Sequence, residues 1–271
     1  MRIAVLIKQV PAVDSVRIDE ETGTMEREGV DSELNPLDLY AVEAAARIKE
    51  AGKAESVTAI TMGPPQARRA LSHAIAMACD DGVLLSDAKF AGADTLATAR
   101  TIAAAIKRLG KFGVILAGER ATDGETGQVP PSVAELLGIP ALTYVSRIVE
   151  LTEESITVRR AVDGGYETVR APLPVLLSVT KEINKPRLST LAGKLRAKRA
   201  RIDVLRASDI EADGVGLAGS PTRVVKVMYP KVTRTCRKIS MNDDHEGTVR
   251  EAVKFLADNS FSDARVEGVL S

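Results

Sequence analysis

Short apolar runs alternate with helical patterns through the first half of the chain. The runs are brief and unbroken, as expected for strands buried on both faces of a parallel sheet, and they cover residues 3–7, 56–61, 82–86 and 112–117. Apolar residues at helical spacing follow each run, within residues 37–51, 66–79, 95–109 and 132–138. This alternation predicts an α/β fold with a mostly parallel, doubly wound sheet.

The pattern changes after Pro140. Four β-rich segments follow, and Asp163-Gly164-Gly165 between the second and the third is a strong hairpin signal. We therefore expect antiparallel strands to be added to the parallel sheet. The α/β domain is predicted to cover residues 1–180.

Apolar periodicity is too sparse after Lys181 to form an independent core. This part contains a basic run at residues 194–201, a stretch rich in Gly, Ser and Pro at 213–222, and a predicted terminal helix at 246–259. We expect residues 181–271 to form an extended arm that lies on a partner subunit.

Composition excludes several classes of function. The 37 basic and 37 acidic residues cancel, so no overall field for nucleic acid or a membrane surface is expected. No apolar run approaches the length that spans a bilayer. The two cysteines and two histidines are too few and too scattered to predict a disulfide framework, a metal site or a Ser-His-Asp triad. The sequence start resembles a strand rather than a signal peptide, so a cytoplasmic location is expected.

The polar loop after the apolar run at 112–117 is the strongest candidate for a ligand site. Its side chains are short or polar, and it leads through two prolines into a helix; its residues are Asp123, Gly124, Glu125, Thr126, Gly127 and Gln128. A helix start offers free N–H groups, and glycines let an anion approach the backbone. Ligands bind at the carboxyl ends of strands in open α/β sheets. An ordinary strand-to-helix connection explains the same residues equally well.

Sequence motifs for catalysis are missing. The chain has neither the Gly-x-x-x-x-Gly-Lys-Ser/Thr motif of P-loop proteins nor the Gly-x-Gly-x-x-Gly dinucleotide motif. No nucleophile stands beside a general base, so any redox chemistry has to come from a bound cofactor.

Several segments, in this order and spacing, resemble the beta subunit of electron transfer flavoproteins over nearly the whole chain. They are Val5–Val10, Asn35-Pro36 with Ala41–Ala45, Met62-Gly63-Pro64, Ala117-Gly118, Asp123–Gln128, Val158–Glu167 and Asn184–Leu191. The resemblance implies the adenine nucleotide hydrolase-like form of the fold. It also implies a heterodimer with a larger alpha subunit that holds FAD, around which residues 181–271 would wrap.

The resemblance also implies a nucleotide site on this subunit. Residues that match the family's motifs would line it: Leu6, Asn35, Asp38, Met62, Gly63, Asp123, Gly124, Glu125, Thr126, Gly127, Gln128 and Val129. These lie in the loops that the sheet prediction places on one edge. No metal ligands and no catalytic side chains are implied.

Two types of cofactor remain open within the family. Ordinary electron carriers hold a structural AMP, whereas bifurcating members hold a second FAD. The segment 90–99, with Thr95 and Thr98, resembles the bifurcating type, so FAD is favoured. A helix cap and a helix-face hydroxyl are the plainer interpretation of Thr95 and Thr98; capping explains Asp94, but not two threonines three apart on the first turn. Pro130 departs from the glycine that relatives tend to carry and removes an N–H from the site wall.

Partners follow from the same resemblance. In the bifurcating type, electrons from NADH pass to a low-potential acceptor, ferredoxin or flavodoxin, and to an acyl-CoA dehydrogenase or a quinone-linked acceptor. Leu191 matches the leucine that family members insert into an acyl-CoA dehydrogenase, although an inconsequential loop leucine is the plainer interpretation. The chain is not expected to be catalytic alone. An alternative of another class is a stand-alone, stress-type protein that binds an adenine nucleotide.

Overall fold

A computed structural model describes residues 1–12, 17–18, 25–26, 32–225, 238, 240 and 244–258. The strands in these ranges are β1 (Arg2–Leu6), β2 (Gln9–Pro11), β3 (Arg17–Ile18), β4 (Met25–Glu26), β5 (Ser32–Leu34), β6 (Ser56–Met62), β7 (Asp81–Leu85), β8 (Val114–Gly118), β9 (Ala141–Leu151), β10 (Ser155–Val162), β11 (Gly165–Pro172), β12 (Val175–Val179) and β13 (Ile202–Leu205). The helices are α1 (Asp38–Glu50), α2 (Arg68–Met77), α3 (Thr95–Leu109), α4 (Val129–Leu137), α5 (Leu191–Arg199) and α6 (His245–Asp258).

A nine-stranded sheet forms the centre of the main unit. Its strand order is β11-β10-β9-β12-β8-β1-β6-β7-β13. The seven strands β9, β12, β8, β1, β6, β7 and β13 are neighbours in this order and pair in parallel. Strands β10 and β11 are antiparallel additions beyond β9. The predicted fold class is therefore confirmed, and the hairpin turn lies at the predicted Asp163-Gly164.

Helices cover both faces of the sheet, which explains why the parallel strands are apolar without alternation. In β1, Ile3 and Val5 face one buried cluster, to which α1 and α2 contribute, while Ala4 and Leu6 face a second cluster with α3 and α4. Many of the helix residues in both clusters are alanine, so the helices approach the strands closely. The protein therefore has two closely packed aliphatic cores, one on each face of the sheet.

One compact unit covers Met1–Met228. The domain limit at residue 180 stays a prediction. Beyond residue 180, β13 pairs with β7 and extends the sheet by one strand, and α5 packs on α2. This packing leaves no space for a side chain at Gly193, because a Cβ there would lie 2.0 Å from the carbonyl oxygen of Ala76. Residues 226–237 and 259–271 of the expected arm lie outside the described residues.

The second unit, Tyr229–Ser271, contains α6. The helix begins and ends within one residue of its predicted bounds. Val249, Val253 and Leu256 lie along one side at helical spacing, and all three side chains are exposed.

The contact between α5 and α2 can be tested by Gly193→Ala. Helix propensity alone would make this change stabilising by about 1 kcal/mol. The close carbonyl of Ala76 makes it destabilising instead, by about 1–3 kcal/mol, because a methyl group must displace the neighbouring helix. Urea unfolding measures the difference. Ala192→Gly, at an exposed position of the same helix, is the control and should cost only the propensity term; a stabilised Gly193→Ala protein would contradict the packing.

Candidate functional site

Most of the predicted site residues follow the carboxyl ends of four neighbouring strands, whereas Asn35 and Asp38 follow β5 of a separate two-stranded sheet. Leu6 ends β1, Met62 and Gly63 end β6, Thr95 and Thr98 lie in the first turn of α3 after β7, and residues 123–129 follow β8. Since β8, β1, β6 and β7 are adjacent in the sheet, these segments share one edge. Leu6 and Met62 pack against the α3 and α4 cluster, so their side chains form the floor of that edge.

The order of the strands reverses between β1 and β8. From β1 the chain proceeds outward through β6 and β7, and then returns through α3 to place β8 on the other side of β1. Loops on either side of such a reversal diverge and leave a crevice, which is where open α/β sheets bind ligands. The Gly118–Val129 loop borders this crevice.

Asp38, the first residue of α1, spans the crevice. Its Oδ2 accepts the backbone N–H of Lys8, after β1, at 2.8 Å, and its Oδ1 accepts the N–H of Gly118, at the end of β8, at 3.2 Å. A Cβ at position 118 would lie 2.5 Å from Asp38 Oδ1, so only glycine lets this carboxylate reach the backbone. One side chain thus links the backbone just after β1 to the end of β8.

Burial dominates the ionisation of Asp38. Its side chain is only 5% exposed, and desolvation raises the pKa of the carboxyl from 3.8 to about 7. Hydrogen bonds from the Asn35 side chain and from the backbone of Lys8 and Gly118 act in the opposite direction. The charge of this bridge therefore changes near neutral pH.

Asn35 holds the other side of the loop after β8. Its Nδ2 donates to the carbonyl oxygen of Arg120 at 3.0 Å, and its Oδ1 accepts the N–H of Thr122 at 3.2 Å. The residue is fully buried. Both Asn35 and Asp38, predicted to line the nucleotide site, use their polar side-chain atoms to hold backbone. Direct contact with a ligand stays a prediction for them.

The loop itself carries exposed polar groups at the edge. Gly127 and Glu125 adopt positive φ angles of +62° and +52°, a conformation in which glycine is relaxed and glutamate is strained. The side chains of Asp123, Glu125, Thr126 and Gln128 are exposed. Lys8 Nζ lies 2.7 Å from an oxygen of Asp123, so a cation from the β1 end crosses to this loop. Lys8 was missed by the sequence analysis, although its position directly after a buried strand marks it as an edge residue.

The helix after the loop begins earlier than predicted. α4 starts at Val129, so Pro130 and Pro131 lie in its first turn, as expected for prolines that open a helix. Neither proline has an N–H, and the start of α4 therefore presents fewer donors than an ordinary helix N-terminus. The positive end of the dipole remains.

The α3 start contributes hydroxyl groups to the same edge. Asp94 caps the helix, its Oδ1 accepting the N–H groups of Leu96 and Ala97 at 3.0 Å. These bonds, chiefly that from Ala97, and bonds from Thr222 hold the pKa of Asp94 below its usual value despite some desolvation. One turn further in, Thr101 donates to the carbonyl of Ala97. Thr95 and Thr98 are half-buried, and their hydroxyls form no hydrogen bond within the part of the chain that the structure describes.

The groups at this edge are suited to binding. They include hydroxyls, side-chain amides, backbone N–H groups and one lysine, all suited to phosphate and sugar oxygens. Within the described ranges, no group of three or more His, Cys, Asp or Glu side chains is placed to share a metal ion. Across the same residues, no helix has the length and apolar character needed to cross a membrane.

Leu191 lies away from this edge, at the start of α5. It is 76% exposed, and Leu188 before it is 90% exposed. Arg187 anchors this segment to α1 through Glu50 and through Glu43, whose Oε2 lies 2.7 Å from Arg187 Nε. Burial raises the pKa of Glu43, but hydrogen bonds from Arg187 and Arg47 outweigh it and hold that pKa below its usual value. Leu188 and Leu191 are therefore exposed on a segment that the Arg187 ion pairs hold against α1.

Comparison with known proteins agrees with this architecture. The family model for the electron transfer flavoprotein domain matches residues 22–210. An electron transfer flavoprotein subunit beta from Thermoanaerobacterium thermosaccharolyticum is 44% identical over 95% of this chain and 97% of its own length. The caffeyl-CoA reductase-Etf complex subunit CarD of Acetobacterium woodii is 44% identical over 85% of this chain and 88% of its own, and protein FixA of Azorhizobium caulinodans is 38% identical over 93% and 92%.

A mostly parallel sheet with helices on both faces and a crevice at its strand reversal defines the doubly wound α/β class of proteins. Within that class, the chain belongs to the electron transfer flavoprotein family and has the length and pattern of its beta subunits. The resemblance drawn from the sequence is confirmed.

The Asp38 bridge predicts a pH dependence of stability. Because the folded-state pKa is raised, folding retains a proton between pH 3.8 and about 7. The resulting stabilisation is complete below the ordinary pKa and is lost as pH rises through about 7. The unfolding temperature of the wild type should therefore fall more steeply over this range than that of Asp38→Asn, which cannot ionise. Differential scanning calorimetry at several pH values measures both slopes; parallel slopes would contradict the assignment.

Proposed function

We propose that this chain is the beta subunit of a heterodimeric electron transfer flavoprotein and that its edge site binds a second FAD. The observation that carries the proposal is the pair of half-buried hydroxyls on Thr95 and Thr98, for which the described residues provide no hydrogen-bond partner. Together with an alpha subunit, the chain would carry electrons from NADH to ferredoxin or flavodoxin and to an acyl-CoA dehydrogenase or quinone-linked acceptor. FAD, when bound, supplies the redox chemistry that the side chains of this site lack.

The extent of the edge favours FAD over AMP. The crevice between β1 and β8 suits an adenylate, with Lys8 and the N–H end of α4 near a phosphate. The first turn of α3 follows β7, which lies two strands from β1 and therefore about 10 Å from the crevice at ordinary strand spacing. A ligand confined to the crevice leaves Thr95 and Thr98 unused, whereas a longer one reaches them.

The two carboxylates of the loop, Asp123 and Glu125, would repel a phosphate and therefore need other partners. Lys8 already neutralises Asp123. Glu125 is exposed, and we assign it to ribose hydroxyls or water, because a carboxylate facing a phosphate is repelled. Thr126 and Gln128 supply neutral donors for phosphate or sugar oxygens.

A structural AMP is the second candidate. It is favoured by the hydrogen bonds of Asn35 and Asp38 to the backbone, because these bonds order only the crevice. A ligand longer than AMP is not needed to explain them. In that case the chain is an ordinary electron carrier subunit that accepts electrons from acyl-CoA dehydrogenases. Family membership weighs against a stand-alone stress-type protein.

Counting nucleotides in the purified heterodimer separates the first two candidates, since two FAD molecules support the proposal and one FAD with one AMP rejects it. The pair Thr95→Val and Thr98→Val should then weaken FAD binding to the beta subunit by about tenfold or more, because each lost hydrogen bond contributes about 0.5–1.5 kcal/mol. AMP binding should not change.

Thr101→Val is the matched control on the same helix. Its hydroxyl is satisfied by the Ala97 carbonyl inside the helix, so this variant should keep its FAD affinity. Equal losses of FAD and AMP binding in the paired variant would place Thr95 and Thr98 outside the flavin region.

The partner role of Leu191 is part of the same proposal. Its exposed side chain on an anchored segment suits insertion into an apolar recess of an acyl-CoA dehydrogenase. We also propose that the residues beyond 180 wrap the alpha subunit, and that the heterodimer works in the cytoplasm.

Leu191→Ala should reduce electron transfer with the dehydrogenase through a raised KM, by about tenfold, because truncation of a central apolar anchor costs over 1 kcal/mol. Steady-state assays at varied dehydrogenase concentration measure this, with the nucleotide content unchanged. Leu188→Ala, at the still more exposed neighbouring leucine, is the comparison; equal effects of both variants would mean that Leu191 is no specific anchor.

A further inference from the structure

Residues 214–222, named the strap here, lie against the start of α3. The N–H of Leu217 donates to the carbonyl of Ala91 at 2.9 Å, and the Leu217 side chain faces Gly92. Gly216 has a φ of +59°, and a Cβ there would lie 1.9 Å from the carbonyl oxygen of Lys89. The backbones of the strap and of the loop before α3 are therefore in direct contact.

Asp94 connects the strap to the helix. One carboxylate oxygen, Oδ1, caps α3, while the other, Oδ2, accepts both the N–H of Thr222 at 3.1 Å and its hydroxyl at 2.8 Å. The N–H of Asp94 donates to Ser220 Oγ at 2.8 Å, and Arg100 donates to the carbonyl of Gly219. Helix capping explains only Oδ1. The second oxygen has a separate task.

The residues that follow the strap are exposed. After Thr222 the side chains of Val224 and Val225 are 80% and 88% exposed, so Asp94 is the last strong anchor before them. Thr95 and Thr98 lie in the turn directly after Asp94. A displacement of the strap would therefore open this end of the edge to water.

We propose that Asp94 is a positioning residue, whose Oδ2 holds the strap across the first turn of α3 and thereby closes the Thr95 end of the nucleotide site. This rests on the proposed function for the site but not on the choice between FAD and AMP as its ligand. The strap slows nucleotide release, while Asp94 itself does not touch the ligand.

Asp94→Asn separates the two tasks of this side chain. An asparagine oxygen still accepts from Leu96 and Ala97, but its Nδ2 cannot accept from Thr222. In the heterodimer, hydrogen exchange at residues 214–222 should rise about tenfold, with the cap amides of α3 still protected. The release rate of the bound nucleotide should rise by a similar factor, as measured by diluting the loaded heterodimer into excess competing nucleotide.

Thr222 provides the independent pair of variants. Thr222→Val loses the hydroxyl donor and should accelerate release a few fold, whereas Thr222→Ser keeps the donor and should release nucleotide at the wild-type rate. Asp203→Asn controls for the loss of a negative charge, because Asp203 of β13 forms an exposed ion pair with Arg201. If Asp94 only stabilised the fold, the nucleotide release rate would not depend on the hydroxyl at position 222, and Thr222→Ser would not differ from Thr222→Val.

Two results would overturn the proposal. One is unchanged exchange of the strap in both Asp94→Asn and Thr222→Val, and the other is a mobilised strap with an unchanged release rate. A wild-type heterodimer with no nucleotide on this subunit is a different result, because it rejects the proposed function itself.

Discussion

One buried carboxylate links the chain just after β1 to the end of β8, where the crevice lies. Asp38 accepts backbone N–H groups from Lys8 and from Gly118, which come from neighbouring strands and are far apart in sequence. A buried backbone donor left without an acceptor costs about 1–3 kcal/mol, so these two bonds stabilise the backbone where they form. The loops on either side are thereby fixed before any ligand arrives, with Asn35 holding the second of them.

The edge that results has the polar groups that the proposed nucleotide site requires. Its framework side chains, Asn35, Asp38 and Asp94, bond to backbone, and its remaining hydroxyls and amides are left for a partner. Preorganised donors lose little freedom when they bind, which favours retention of a nucleotide over rapid exchange. The division fits a subunit of an electron transfer flavoprotein, in which the protein supplies position and electrostatics.

The sheet and the location of the site were predictable because both depend on local patterns. Unbroken apolar runs marked β1, β6, β7 and β8, and their alternation with helices placed all of their ends on one edge. The tasks of Asp38 and Gly118 were not predictable, since they depend on contacts between residues 80 positions apart. An aspartate at a helix start and a glycine after a strand are too common to indicate such a bridge.

The elements missed after residue 180 have a different cause. α5 is mostly exposed and basic, and its contact with α2 depends on the small Gly193 instead of an apolar stripe. β13 has only four residues and becomes a strand by pairing with β7. Tertiary contact overrides weak local preference in both elements.

The late position of β13 affects how the chain is made. Until residues 202–205 leave the ribosome, β7 is an open edge with unpaired N–H and C=O groups in an otherwise complete parallel sheet. Such an edge can pair with a strand of a neighbouring nascent chain, and distant pairings form slowly. Synthesis of the segment after α5 therefore ends the period in which this subunit is most exposed to aggregation.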